Sequence, residues 1–129
     1  MRPAKPTLTE QELEIMKVIW QRETATVRQV YETLLERRRI AYTTVMTMMN
    51  ILEQKGYLKK HQEDRAYVYQ PSQPQQQVIR SMVREFVNRV FNGSAEPLLV
   101  HLVEDQHLTE KDLEEIRRTI KSAASRRPR

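Results

Sequence analysis

The stretch "AYTTVMTMMNILEQKG", residues 41–56, puts methionines and hydroxyls into one helical segment. An α-helix turns about 100° per residue. With Val45 at zero, Met48, Met49 and Leu52 fall within about 60° of it, a stripe suited to a core. Thr43, Thr47, Asn50 and Gln54 fall within about 40° of the opposite pole, with Thr44 and Ile51 on one flank and Met46 on the other. The hydroxyl side therefore faces outward and carries almost no charge. Outward helix positions ordinarily hold Glu, Lys, Arg or Gln, because Thr and Asn cost about a few tenths of a kcal/mol more there. Short hydroxyls and amides suit phosphate oxygens and base edges. Asn can pair with adenine through two hydrogen bonds, and a Thr methyl packs on the thymine methyl. Taken alone, the same face also reads as solvated, with incidental residues.

The elements around this helix decide between those readings. Residues 1–8, with two prolines and two basic residues, read as a loosely attached arm. Thr9-x-x-Glu12 is a capping box that opens a first helix, and Leu13, Met16, Ile19 and Trp20 give it an apolar stripe. Thr26-x-x-Gln29 opens a second, with Val27, Val30, Tyr31, Leu34 and Leu35 at helical spacing. It runs into the charged connection Glu36-Arg37-Arg38-Arg39. The third helix spans 43–55, and Gly56 stands where a left-handed residue ends it. "YLKKH" and "AYVYQP" then predict a β-hairpin. The joining "QEDR" lacks Gly or Asn-Gly, which predicts a loop longer than two residues.

"PSQPQQQ", residues 71–77, is a linker by composition. Beyond it Val78, Ile79, Met82, Val83, Phe86, Val87, Val90 and Phe91 recur at helical spacing up to Gly93. A shorter helix is expected at about 95–104. Thr109-x-x-Asp112 opens a last one carrying Leu113, Ile116 and Ile120, and the basic tail "SRRPR" is expected to be mobile. The fold class is mainly α with a small β-hairpin: a winged helix-turn-helix over 1–74 and a C-terminal helical region with its basic tail over 75–129. In a winged helix-turn-helix the third helix enters the major groove and the hairpin lies along the backbone. Arg28, Arg37, Arg38, Arg39, Lys59, Lys60 and Arg65 all flank that helix. Arg28, Arg39, Lys59, Lys60 and Arg65 are the candidate phosphate contacts, which give affinity and register without reading sequence.

Composition narrows the function classes. The 129 residues carry a net charge of +5, a modest bias toward nucleic acid, anionic membrane or acidic proteins. Cysteine is absent, which removes disulfides, thiol nucleophiles and cysteine zinc sites. The start of the chain lacks an apolar core of the kind a secretory signal needs, and no apolar run is long enough to span a bilayer; the expected location is the cytoplasm. Hydrolase, metalloprotease and phosphate-loop motifs are missing, so catalysis is not expected. His61, His101 and His107 are spaced as surface residues, and Met48 and Met49 fit the core stripe, so neither a metal nor a cofactor is expected.

"AYTTVMTMMNILEQKGYLKK" followed by "RAYVYQP" resembles the penicillinase-repressor (BlaI/MecI) family of winged-helix transcriptional repressors. "LTEQELEIMKVIW", "TVRQVYETL" and "FVNRVFNGSAEPLLVHLVEDQHLTEKDLEEIRRTI" extend the resemblance over nearly the whole chain. It implies a homodimer on a palindromic double-stranded DNA operator, with interlocking C-terminal helices. Met82, Val83, Phe86, Val90, Leu98, Leu102, Leu113 and Ile116 are the candidate interface residues. The apolar stripe from Val78 to Phe91 agrees, being too long for the short helices after it to cover. Carried over, the base-facing candidates are Tyr42, Thr43, Thr44, Met46 and Thr47, with Asn50 just beyond. Some members have an arginine where this chain has Met46, and a methionine cannot make that arginine's hydrogen bonds to guanine. The resemblance further implies inactivation by a protease, such as a membrane sensor-protease, at an Asn-Phe bond whose position here reads His101-Leu102. The cysteine pairs of a copper-responsive branch are absent. Two rival readings stand beside the repressor: a helical protein-interaction module without DNA binding, and a winged-helix regulator that senses a small ligand.

Overall fold

The computed structural model describes residues 7–126. The chain runs α1 (Glu10–Arg22), α2 (Val27–Leu35), α3 (Tyr42–Gln54), β1 (Leu58–Glu63), β2 (Ala66–Pro71), α4 (Gln75–Phe91), α5 (Glu96–Glu104) and α6 (Glu110–Arg126). This is the expected mainly helical fold with one hairpin. Most of the expected arm, residues 1–6, and the last three residues of the tail lie outside the described residues. Leu8 corrects the arm's inner boundary, because it is buried in the core. It precedes the N-cap of α1, with Leu13 four positions into the helix, the spacing of a hydrophobic staple.

All three capping boxes form. The Thr9 amide donates to Glu12 Oε1 at 2.8 Å, and the Glu12 amide to Thr9 Oγ1 at 3.1 Å. Thr26 with Gln29 and Thr109 with Asp112 repeat the arrangement at 2.9–3.1 Å. Each box satisfies two amides that a helix start leaves without intrahelical partners.

The chain divides into two compact units, Met1–Met82 and Val83–Arg129. In the first, Ile15, Met16 and Ile19 of α1 meet Val30 and Leu34 of α2, Val45, Met49 and Leu52 of α3, and Leu58 and Tyr69 of the hairpin. Fully burying each aliphatic side chain contributes about 1.5–3 kcal/mol. Val78 and Met82 of α4 also lie on this core. The unit boundary therefore falls inside α4, beyond the linker that composition singles out. Within the linker, Trp20 Nε1 donates to the Gln73 carbonyl at 3.3 Å.

The hairpin corrects one expectation. Its register runs from Leu58↔Pro71 to Glu63↔Ala66, leaving a two-residue turn of Asp64 and Arg65. Asp64 takes φ 57°, a left-handed conformation that Asp tolerates better than most residues, so no glycine is needed. At the other end, Tyr69 and Ala25 exchange backbone hydrogen bonds of 2.8 and 3.0 Å, which fastens the wing to the α1–α2 connection.

Lys55, the C-cap of α3, places its ammonium 2.8 and 2.9 Å from the carboxylate oxygens of Glu12, a residue only 5% exposed. The start of α1 is thereby tied to the end of α3. Burial alone would raise the Glu12 pKa, but hydrogen bonds and charge from Lys55, with hydrogen bonds from Thr9, outweigh it and hold it below the ordinary 4.5. A carboxyl depressed on folding stabilises above its unfolded pKa and loses that contribution as pH falls through the folded value. Urea unfolding between about pH 5 and pH 3 should therefore weaken the parent more than a Glu12→Gln variant. Parallel pH curves for the two proteins would contradict this role.

In the second unit, Asn92 (φ 54°) and Gly93 (φ 89°) follow the end of α4, and the Gly93 amide bonds the Val87 carbonyl at 3.1 Å. Such a left-handed end suits glycine, which has no Cβ to clash. Phe86 and Phe91 meet edge to face at 5.9 Å, and the His101 ring lies 6.0 Å from Phe91. Among the described residues no helix is long and apolar enough to cross a membrane.

Candidate nucleic-acid interface

The α2–α3 corner is braced by aromatic contacts. Tyr31 and Tyr42 meet edge to face at 5.5 Å, and the Arg28 guanidinium lies 5.4 Å from the Tyr42 ring centroid. Beside this corner a groove of about 580 Å³ runs between α3 and the wing. Thr26, Val27 and Arg28 form one end, Tyr42, Met46 and Asn50 the α3 wall, and Lys60, Arg65, Ala66, Tyr67 and Tyr69 the wing wall. Among the described residues none of its lining side chains is acidic.

The structure thus divides the outward side of α3. Tyr42, Met46 and Asn50 lie along one flank, at about 60°, 100° and 140° from Val45, and face the wing. Thr43, Thr44 and Thr47 are exposed and line no part of the groove. Val45, Met49 and Leu52 are fully buried, and Met48 is half-buried. Asn50 is half-buried too, and its Oδ1 accepts a 3.1 Å hydrogen bond from the Tyr69 hydroxyl. Burial pushes the Tyr69 pKa above its ordinary value, so this hydroxyl keeps its proton and donates.

The cations take different places. Arg28, Lys60 and Arg65 line the groove. Lys60 also sits 3.6 Å from Glu53 and 4.7 Å from the Tyr67 ring centroid. Arg39 and Lys59 are exposed outside it. Arg38 is engaged at 2.8 Å by Glu14 of α1. Tyr67 and Tyr69 were not among the sequence candidates. Their signal is the two-residue alternation in "AYVYQP", which puts both on one face of the wing.

Of the candidate interface residues, Val83, Phe86, Val90 and Leu113 are exposed, and Leu98, Leu102 and Ile116 are half-buried. Met82 packs against the core of the first unit. His101 is exposed, and the His101–Leu102 bond lies inside α5.

Residues 8–122 match the family model described as Penicillinase repressor. The chain belongs to the penicillinase repressor family. The match spans both compact units. Among similar family proteins, the penicillinase repressor of Bacillus licheniformis is 28% identical over 122 residues, covering 95% of each chain. The transcriptional regulator BlaI of Mycobacterium tuberculosis is 38% identical over 100 residues, 76% of this chain and 72% of that one. The methicillin resistance regulatory protein MecI of Staphylococcus aureus is 23% identical over 106 residues, 82% of this chain and 86% of its own. The solution structure of the DNA-binding domain of the repressor BlaI aligns with TM-score 0.52 and 32% identity, covering 57% of this chain and 90% of that domain. The solution structure of monomeric Bacillus licheniformis BlaI in complex with the blaP half-operator aligns with TM-score 0.50 and 33% identity, covering 56% of this chain and 88% of that one. This member of the penicillinase repressor family therefore has the winged-helix fold of the BlaI DNA-binding domain.

Proposed function

We propose that this penicillinase repressor family member is a sequence-specific transcriptional repressor that binds a palindromic DNA operator as a homodimer. The observation that carries the reading is the exposed threonine face of α3 beside a groove walled by Arg28, Lys60 and Arg65. In this reading Thr43, Thr44 and Thr47 enter the major groove, and the cations, with Arg39 and Lys59, hold the phosphates. The relatives named as repressors and the likeness to a BlaI chain in complex with a half-operator support it. The dimer rests on Val83, Phe86 and Val90, an exposed apolar stripe at helical spacing. A DNA-bound repressor works in the compartment that holds the DNA, here the cytoplasm. Inactivation by cleavage at His101–Leu102 belongs to the same proposal. That bond is helical, so a protease has to unwind α5 to reach it.

Selection from genomic DNA fragments with the purified chain tests the reading. Enriched fragments should share a palindrome, survive excess nonspecific DNA, and lose affinity log-linearly with salt as counterions are released. No enrichment, or binding indifferent to salt, would overturn it. Thr47→Ala should weaken the selected operator by about 1 kcal/mol or more while unfolding stability stays within about 0.5 kcal/mol of the parent. Unchanged operator affinity would remove Thr47 from the base-facing set.

A further inference from the structure

We propose that Asn50 grips a DNA phosphate, with Tyr69 as its positioning residue, and that it does not read a base. The inference rests on the DNA-binding reading above and refines how that site works.

Pairing with adenine requires both ends of an asparagine amide, Oδ1 accepting and Nδ2 donating. Here the Tyr69 hydroxyl takes one of the two lone pairs of Oδ1 at 3.1 Å, so the orientation of the amide is set by the wing and not by a base. Tyr69 has little freedom to release it. The residue is 2% exposed, and its backbone is bonded on both N–H and C=O to Ala25. The amide is thereby fixed with its Nδ2 donors left for the groove. The charged groups that line that groove are Arg28, Lys60 and Arg65, which donate and cannot accept; Glu53, 3.6 Å from Lys60, is outside the lining. A phosphate diester oxygen is the matching partner, an acceptor carrying negative charge. A guanine edge also offers acceptors. Yet Asn50 is recessed between wing and helix among three cations, whereas Thr43, Thr44 and Thr47 stand exposed. Base reading thus falls to the threonines.

The test uses the full chain and a duplex selected by it from a randomised pool. Single phosphates of that duplex are replaced one at a time by neutral methylphosphonates. At one position in each half-site, replacement should cost the parent about tenfold in affinity, the scale of a hydrogen bond to a charged group. Asn50→Ala and Tyr69→Phe should each bind the unmodified duplex about tenfold more weakly and become nearly indifferent to that replacement. Base preferences should be unchanged at every position, and so should the salt slope, because neither side chain carries charge. The double variant should bind no more weakly than Asn50→Ala, whereas a merely structural role for Tyr69 gives additive losses. Asn50→Asp keeps an acceptor for Tyr69 but sets a carboxylate against the phosphate, so it should bind more weakly than Asn50→Ala. A shifted base preference in Asn50→Ala, additive losses, an Asn50→Asp variant equal to Asn50→Ala, or a phosphate scan identical to the parent's would each overturn the proposal. If the parent selects no duplex at all, the DNA-binding reading itself falls and this inference with it.

Discussion

Phe86→Asp is expected to turn the protein into a monomer and to lower its affinity for a complete operator by at least about a hundredfold. Phe86 is 40% exposed, between Val83 at 52% and Val90 at 48%, all on one stripe of α4. Apolar surface of this kind is costly to leave in water, and in the proposed homodimer a second copy of the same stripe would cover it symmetrically. A carboxylate placed there would have to be buried without a partner, which disfavours association by several kcal/mol. In the proposed dimer the second half-site encounter becomes intramolecular. That linkage multiplies affinity by about 10²–10⁴ when the geometry allows both contacts. The prediction thus has two readouts. Sedimentation equilibrium should give a single-chain mass, and titration of an isolated half-site should give equal affinities for parent and variant. A variant that sediments as a dimer would sink the proposed interface.

The second large effect concerns the opposite side of α3. Leu52→Ala should lower unfolding stability by about 2–5 kcal/mol, because Leu52 is completely buried in the core that α3 shares with α1, α2 and the hairpin. Removing its branched end deletes transfer free energy and leaves a cavity that the surrounding helices fill only in part. Thr47→Ala, on the exposed side, should stay within about 0.5 kcal/mol of the parent. Denaturant melts of the two variants measure this contrast directly. Comparable losses in both would mean that α3 lacks the two-faced character assigned to it.

Much of this arrangement is legible in the sequence because it depends on local rules. Capping boxes need only two residues three apart, and all three form as read. The α3 stripe follows from helical period alone, and Val45, Met49 and Leu52 are buried accordingly. The features that escape sequence reading depend on contacts between distant segments. Asn50 counts as part of an outward face until Tyr69, nineteen residues later, is seen to engage it. Arg38 reads as a free cation until Glu14 pairs with it from α1. Leu8 follows two prolines and looks like part of an arm, yet it lies directly before a cap, where a staple residue belongs. The turn at Asp64 escapes for another reason. A left-handed φ is less favourable for Asp than for Gly, so composition argues against a tight turn that the paired strands nevertheless impose.

The tight wing limits how relatives of this chain can diverge. Side chains alternate between the two faces of a strand, so one residue inserted between Tyr67 and Tyr69 would put the two rings on opposite faces. A pair of inserted residues would preserve the alternation. Extra length at Asp64–Arg65 would only lengthen the tip. Insertions and deletions across the family should therefore gather at that tip, and within the second strand they should come in even numbers.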